Sequence, residues 1–323
     1  MLKIRECEDI QECRWIWEKI WPEECIFDFW ALRDCFASAF NRPVKFIVAE
    51  ESGRIQGALA LSWIEEEGLF AQFPGETWKG RTWLEQNKIP AENSLVFSEM
   101  LAALPGRTHL RYLTPESIAP DDQSVELDET GYLFYPGQYN YSFQNFRQQF
   151  SKKFRKNYAK EVSVMEAHGV SFRQNDLSDA NHLFKMNIEA FKEGSYFSDP
   201  RFLNAFENMV AWLHDEGMLR TAAVIIGGEI AAVDIGSVWG KHYTVLAGGT
   251  NPDFPGVAKM INFHHLEWSC EQHLEIVDFL CGDFGWKERF HLTPRPLYQI
   301  RANPAGCAIS ESIHNGMSVD CEV

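Results

Sequence analysis

The chain has 323 residues, a hydrophobic fraction of 45% and a formal net charge of −16 at pH 7. This length allows two medium-sized domains, and the apolar content is enough to build a core for each. The excess of acidic residues argues against a general nucleic-acid or membrane binder, because the summed field of the protein repels polyanions.

Targeting and cysteine signals are weak. No apolar run has the length of a signal peptide or a membrane span, so a cytoplasmic location without membrane contact is expected. The eight cysteines form no CxxC pair and no zinc-type spacing, so we expect reduced thiols and no metal. Cys281 follows a predicted strand, and we interpret it as a nucleophile or, more simply, as a buried thiol.

Residues 1–140 predict a first α/β unit. Its expected elements are a strand (2–5), two helices (8–20 and 27–40), a hairpin (VKFIVAEE and IQGALALSWI), a strand (69–73), two helices (77–86 and 92–104) and two strands (109–113 and 132–135). Residues 114–130 contain prolines and acids, which are typical of an exposed connection.

Residues 141–169 predict a linker helix that begins near residue 142. Its apolar face has the helical spacing of Phe146, Phe150, Phe154, Tyr158, Val162 and Met165. The opposite face carries Lys152, Lys153, Lys156 and Lys160. This face is either simply solvated or a patch for a phosphate-rich ligand, such as a nucleotide cofactor or the acceptor stem of a tRNA.

Residues 170–304 repeat the order of the first unit. We expect a strand (170–173), two helices (178–193 and 199–215), a hairpin (LRTAAVII and IAAVDIGSVW), a strand (243–248), a helix (257–273), a strand (276–280) and a short helix (284–289). The repeat predicts two similar α/β units with mixed sheets, since hairpins are antiparallel and a strand–helix–strand step is parallel. Residues 305–323 are expected to be a loosely held tail.

The Gly/Pro loop before the helix at 257 indicates an anion site. Loop amides and the positive end of a helix dipole both favour negative charge. We expect a phosphate-bearing molecule to contact Phe254, Gly256, Val257, Ala258 and Lys259.

The strand before that loop is a second place where we expect a ligand to bind. Main-chain amides near Leu246 and Gly248 can hold a carbonyl group, and glycine lets a ligand approach the backbone closely.

Two residues of the second unit's strands are candidate catalysts. Asp234 interrupts the apolar strand IAAVDIGSV, where a carboxylate is costly unless it is paired or lines a cavity. Tyr243 can protonate a leaving group or be a core aromatic residue. His264 and His265 are more simply core or surface histidines than catalysts.

Two further candidates follow the last predicted strand. Asp283 can act as a base at the carboxyl end of the strand or cap the next helix. Lys287 lies four residues on; it can bind a phosphate or carboxylate, or form a surface ion pair.

This order of elements resembles the GNAT N-acetyltransferase fold, present twice. The chain is similar to tandem GNAT proteins of the FemAB-like, CelD-related group. The likeness rests on FSKKFRKNYAKEVSVMEAHGVSF (150–172), GGEIAAVDIGSVWGKHYTVLAGGTNPDFPG (227–256) and FHHLEWSCEQHLEIVDFLCGDFGWKERF (263–290). It covers roughly the C-terminal half, whereas the first half matches only in pattern.

The resemblance implies transfer of an acyl group from acetyl-CoA or another acyl-CoA to a small-molecule or peptide amine. FemAB-type relatives take an aminoacyl group from tRNA instead, and a non-catalytic binding protein is a third alternative. This sequence departs from the usual GNAT pattern in two features. The usual pyrophosphate loop is replaced by NPDFPGVA, in which Pro255 removes an amide, and the tyrosine after the last common strand is absent.

Overall fold

The computed structural model describes residues 1–118, 125–282 and 285–303. The first half contains β1 (Lys3–Cys7), α1 (Ile10–Ile20), α2 (Trp30–Phe40), β2 (Val44–Glu51), β3 (Arg54–Ile64), β4 (Leu69–Gln72), β5 (Thr77–Trp78), β6 (Arg81–Thr82), α3 (Ser94–Ala102), β7 (Thr108–Leu113) and β8 (Val125–Phe134). The second half contains α4 (Phe143–Arg147), α5 (Lys152–Glu166), β9 (Val170–Gln174), α6 (Asp179–Phe191), α7 (Pro200–Asp215), β10 (Leu219–Ile226), β11 (Glu229–Trp239), β12 (His242–Thr250), α8 (Val257–Glu271), β13 (Ile276–Asp278), α9 (Trp286–Arg289) and β14 (Thr293–Ala302).

Both halves contribute to one sheet, within which 12 of the described strands have the order β1-β2-β3-β4-β7-β14-β8-β13-β12-β11-β10-β9. The hairpins β2–β3 and β10–β11 are antiparallel, whereas β4–β7 and β12–β13 are parallel. The mixed α/β architecture expected from the repeated hairpins is therefore confirmed, and the two predicted sheets are continuous.

The last strands of the two halves, β8 and β14, exchange places. β8 follows the first half in sequence but pairs with β13 of the second half. In turn, β14 of the second half lies between β7 and β8 of the first. The boundaries predicted at 140 and 170 therefore do not coincide with a break in the sheet.

Helices cover both faces of the second half of the sheet. α6 and α7 share an apolar core with α2 of the first half, where Phe36 and Phe202 have ring centroids 5.7 Å apart. α5 and α8 pack on the opposite face, and Tyr158 and Phe263 make one of their contacts. None of the helices among the described residues is both long and apolar enough to cross a membrane.

Three sequence predictions were wrong in detail. The helix expected at 77–86 is the hairpin β5–β6, because Lys79 and Gly80 both have positive φ and form its two-residue turn. The exposed connection expected at 114–130 contains the start of β8. The helix expected from 142 is divided into α4 and α5, because the Ser151 side chain caps a new helix by accepting from the Phe154 amide.

Candidate functional site

The strands β12 and β13 diverge in the middle of the sheet. They pair from His242↔Ile276 to Thr244↔Asp278, but β12 continues to Thr250. β12 also has a bulge, since Val245 pairs with Gly236 and Ala247 with Ile235, which leaves Leu246 as the extra residue. Beyond Thr244 and Asp278 the two strands no longer pair, and this loss of pairing defines an opening in the sheet. The part of β12 that no longer pairs with β13 contains Leu246 and Gly248, the two residues that the sequence predicted to hold a carbonyl group.

Gly248 is closely surrounded on this strand. A Cβ atom on Gly248 would lie 2.3 Å from Oδ1 of Asp234, so only glycine leaves room for that carboxylate. The Gly248 carbonyl accepts a hydrogen bond of 3.3 Å from the Asn187 side chain of α6. Asn187 is itself held by Ser195, so the segment after α6 helps to fix this part of β12.

The predicted anion site lies at the start of α8. Gly256 has φ 89° and occupies the N-cap position without a side-chain cap. The amide of Val257 is bonded to the Phe254 carbonyl. Ala258 is exposed, and its amide has no acceptor among the described residues. These features leave a helix N-terminus that can accept negative charge.

The ammonium group of Lys259 already has a partner within the protein. Its ammonium group donates to Glu161 of α5, and it lies over the rings of Phe154 and Tyr158. The predicted phosphate contact would have to break this ion pair, so the geometry supports Lys259 as a link between α5 and α8.

Asp234 is one end of a buried polar network. Its Oδ2 atom lies 2.9 Å from Nε2 of His265. The other ring nitrogen, Nδ1, lies 3.0 Å from Nη1 of Arg220 and 3.2 Å from the Tyr243 hydroxyl. Arg220 and Tyr243 are also in contact, at 3.1 Å. Burial lowers the pKa of His265, although its bond to Asp234 opposes this effect.

Tyr243 does not fit its predicted role as an acid. Its side chain is fully buried, and burial raises its pKa to about 12. Gly236 makes room for the ring, since a Cβ atom there would lie 2.4 Å from it. The hydroxyl is therefore engaged in the network around His265.

Lys287 is buried at the end of β13. Its ammonium group donates to the carbonyl oxygens of Phe279, Leu280 and Cys281, and burial lowers its pKa. All three of its hydrogens are used in this way, which fixes the chain after β13 and does not support the predicted phosphate contact. Asp283 lies outside the described residues.

A first-half carboxylate that the sequence did not single out reaches the same region. The two oxygens of Glu85 lie 3.0 and 2.8 Å from the amide of Cys281. Next to it, Gln86 donates to Asp278. Burial raises the pKa of Glu85 to about 7. The Cys281 thiol has a raised pKa because it is buried beside this carboxylate, which argues against a nucleophilic thiolate.

The corresponding opening in the first half is filled by the chain itself. β4 and β7 pair at Phe70↔Thr108 and Ala71↔His109. Asn87 then bridges to β7, since its amide donates to Tyr112 and its carbonyl accepts from Thr114. The second half is therefore the better candidate for a donor site.

A cleft with a volume of about 720 Å³ lies in the first half. Its walls include Ile55, Ile89 and Phe97, and acidic groups such as Glu92 and Glu116 lie beside them. None of the predicted site residues lines it. No cluster of metal-binding side chains is found in the parts of the chain that the structure describes.

Residues 152–288 match the family described as "Acetyltransferase (GNAT) domain". A search of curated proteins finds no match. Among solved structures, the fold is similar to FemX (9% identity, TM-score 0.56, covering 93% of this chain and 98% of that one). It is also similar to L-PGS from Bacillus licheniformis (12%, 0.56, 93% and 93%) and to a tandem GNAT protein from the clavulanic acid biosynthesis pathway (9%, 0.51, 94% and 100%).

At these identities the structural likeness shows the fold alone. Together with the domain match over residues 152–288, it supports the GNAT fold that the sequence resemblance implied. The domain match supports an acyltransferase and does not distinguish its donor.

Proposed function

We propose that the protein transfers an acyl group from an acyl-CoA thioester to the nitrogen of an amine. The observation that carries this proposal is the opening beyond Thr244 and Asp278, where bulged β12 lies beside the start of α8. A thioester can enter such an opening while its phosphates reach the helix N-terminus. The domain match to residues 152–288 supports the same reaction class.

In the proposed reaction the neutral amine attacks the thioester carbonyl at β12. The C–N bond forms, the C–S bond breaks, and the coenzyme leaves as a thiolate that takes up a proton. The attacking nitrogen must lose a proton, and Asp234 is the carboxylate in contact with Gly248. We assign Asp234 as the base, because it is 6% exposed and no hydrogen-bond partner for its Oδ1 atom is found among the described residues.

For the donor, we propose contacts from Leu246 and Gly248 to the thioester. The free amide of Ala258 and the flanking Gly256 would receive the pyrophosphate, with no metal required for charge neutralisation. Phe254 and Val257 shape this turn. The predicted direct contacts of Lys259 and Lys287 are not part of the proposal, since both ammonium groups are engaged within the protein.

Calorimetry with acetyl-CoA and longer acyl-CoAs tests the donor site. Ala258→Glu places a negative charge at the start of α8, and we expect it to weaken binding by about tenfold or more through repulsion of the phosphates. Gln272→Glu adds the same charge at the exposed C-terminal end of the helix and is the matched control. If no acyl-CoA binds the unmodified protein, the proposal is wrong.

A second candidate function is supported by α5. Lys152, Lys153, Lys156 and Lys160 are exposed, and none of them forms an ion pair within the described part of the chain. Unpaired cations on one helix face are suited to a phosphate backbone. An aminoacyl-tRNA donor, in place of acyl-CoA, would use this surface.

Filter binding of tRNA across a salt series separates the two donors. If tRNA is the donor, changing Lys152, Lys153 and Lys156 to Glu will abolish binding and its salt dependence. The control changes Lys3, Lys19 and Lys185 to Glu, which alters the net charge equally at exposed positions elsewhere. Equal binding by both triple variants would show that α5 is not the surface concerned.

A further inference from the structure

The network behind Asp234 has a direction that follows from the chemistry of its members. An arginine side chain can only donate hydrogen bonds. Nη1 of Arg220 lies 3.0 Å from Nδ1 of His265, so Nδ1 must be the accepting nitrogen. A neutral His265 therefore carries its proton on Nε2, which donates to Oδ2 of Asp234 at 2.9 Å.

Burial supports the neutral form of this histidine. His265 is 0% exposed and Arg220 is 3% exposed. A proton on Nδ1 would face the guanidinium group, and the pKa of His265 is lowered by burial and by Arg220. Arg220 also stacks on Trp268, with its Cζ atom 3.9 Å from the ring centroid, so the cation has a fixed position.

The far end of the network reaches the proposed reaction site. Asp234 and Gly248 are paired across β11 and β12, and Oδ1 occupies the space that a side chain at position 248 would fill. Since Oδ2 is held by His265, rotation of the carboxylate is restricted and Oδ1 stays against β12.

We infer that His265 and Arg220 are positioning residues, which hold the Oδ1 atom of Asp234 against β12 at the acyl-transfer site. This inference rests on the proposed function, since it assigns the base of that reaction. It adds two residues that act through Asp234 and do not themselves touch the substrate. Tyr243 is the remaining member of the network. Its hydroxyl lies 3.2 Å from Nδ1 of His265 and helps to hold the ring in place.

The test compares three histidine variants of the full chain. His265→Leu removes both hydrogen bonds, whereas His265→Gln can still donate to Asp234. His264→Leu is the matched control, because His264 lies next to His265 on α8 but stacks on Phe172 outside the network. Thiol release from acetyl-CoA is followed with a panel of primary amines, and donor binding is measured by calorimetry.

We expect His265→Leu to lower kcat at least about tenfold while donor affinity changes less than about threefold. His265→Gln should recover part of the loss, and His264→Leu should resemble the unmodified protein.

Nitrogen NMR of labelled histidine gives a readout that does not need turnover. The inference requires the Nε2–H tautomer for His265, and a protonated Nδ1 would overturn it. Equal kcat values for His265→Leu and His264→Leu would overturn it as well. If the unmodified protein neither binds nor uses acyl-CoA, the proposed function fails, and the network is then only a part of the core even if the tautomer is correct.

Should His265→Leu fail to fold, Gly248→Ala provides an independent test. Its Cβ atom would lie 2.3 Å from the present position of Oδ1, which must therefore move, whereas the histidine itself is not substituted. A loss of kcat with the Nε2–H tautomer retained is expected. Unchanged kcat would contradict the role of Oδ1.

Discussion

At the scale of single residues, the two halves meet through buried charges. Glu85 of the first half is 7% exposed and lies beside Lys287 and Asp278 of the second half. Burial is the main cause of its raised pKa, and Asp278 adds to it. Because the pKa of Glu85 is about 7, the stability of the protein should depend on pH.

The sign of that dependence can be tested with Glu85→Gln. In the native protein Glu85 has a pKa of about 7, raised from its usual 4.5, so its contribution is greatest at low pH and is lost as the pH rises through 7. The stability of the variant relative to the unmodified protein should therefore improve between pH 4.5 and 8, by at most about 3 kcal/mol. Urea unfolding at several pH values measures this difference.

Glu207→Gln serves as the control, because Glu207 is exposed on α7. Its effect on the unfolding free energy should stay the same across the pH series. A flat difference for Glu85→Gln would mean that the buried carboxyl group does not change its protonation on folding.

At the scale of elements, local sequence patterns predicted those elements whose structure depends only on neighbouring residues. The two hairpins, β2–β3 and β10–β11, follow from alternating apolar residues around glycine-containing turns. β14 could not be found in this way, because TPRPLYQIRA contains Pro294 and Pro296. Both prolines lie in the part of β14 that pairs with β8 alone, since pairing with β7 begins at Tyr298. Their missing N–H groups therefore need not remove a bond to β7.

In the candidate site too, features set by local sequence could be predicted and contacts between distant residues could not. The opening beside Leu246 and Gly248 and the helix N-terminus at Gly256 agree with the Gly/Pro loop in the sequence. The sequence could not show that Asp234 meets His265, since the two lie on different elements and 31 positions apart. The large first-half cleft combines segments such as 20–24, 88–94 and 116–118, so no local pattern indicates it.

At the scale of the whole molecule, the exchange of β8 and β14 predicts a single cooperative unit. Leu297 of β14 is fully buried, and Leu297→Ala should lower the unfolding free energy by about 2–5 kcal/mol. Because β14 lies between first-half strands, hydrogen exchange should quicken in both β2–β3 and β10–β11. Calorimetry should still show one transition.

The control is Leu127→Ala on the adjacent strand β8, where the side chain is 62% exposed. It should change stability by less than about 1 kcal/mol. Two separate transitions, or faster exchange in one half only, would show that the halves unfold independently.

The position of β14 also has a consequence for biosynthesis. Residues 293–302 are synthesised after the whole first half, yet β7 and β8 have no strand between them until those residues arrive. Until β14 has been synthesised, the facing edges of β7 and β8 lack their native partner strand, and unpaired strand edges invite association with other chains. The middle of the sheet can therefore form only after residues 293–302 have been synthesised, and a chaperone that shields strand edges should raise the yield of the native protein.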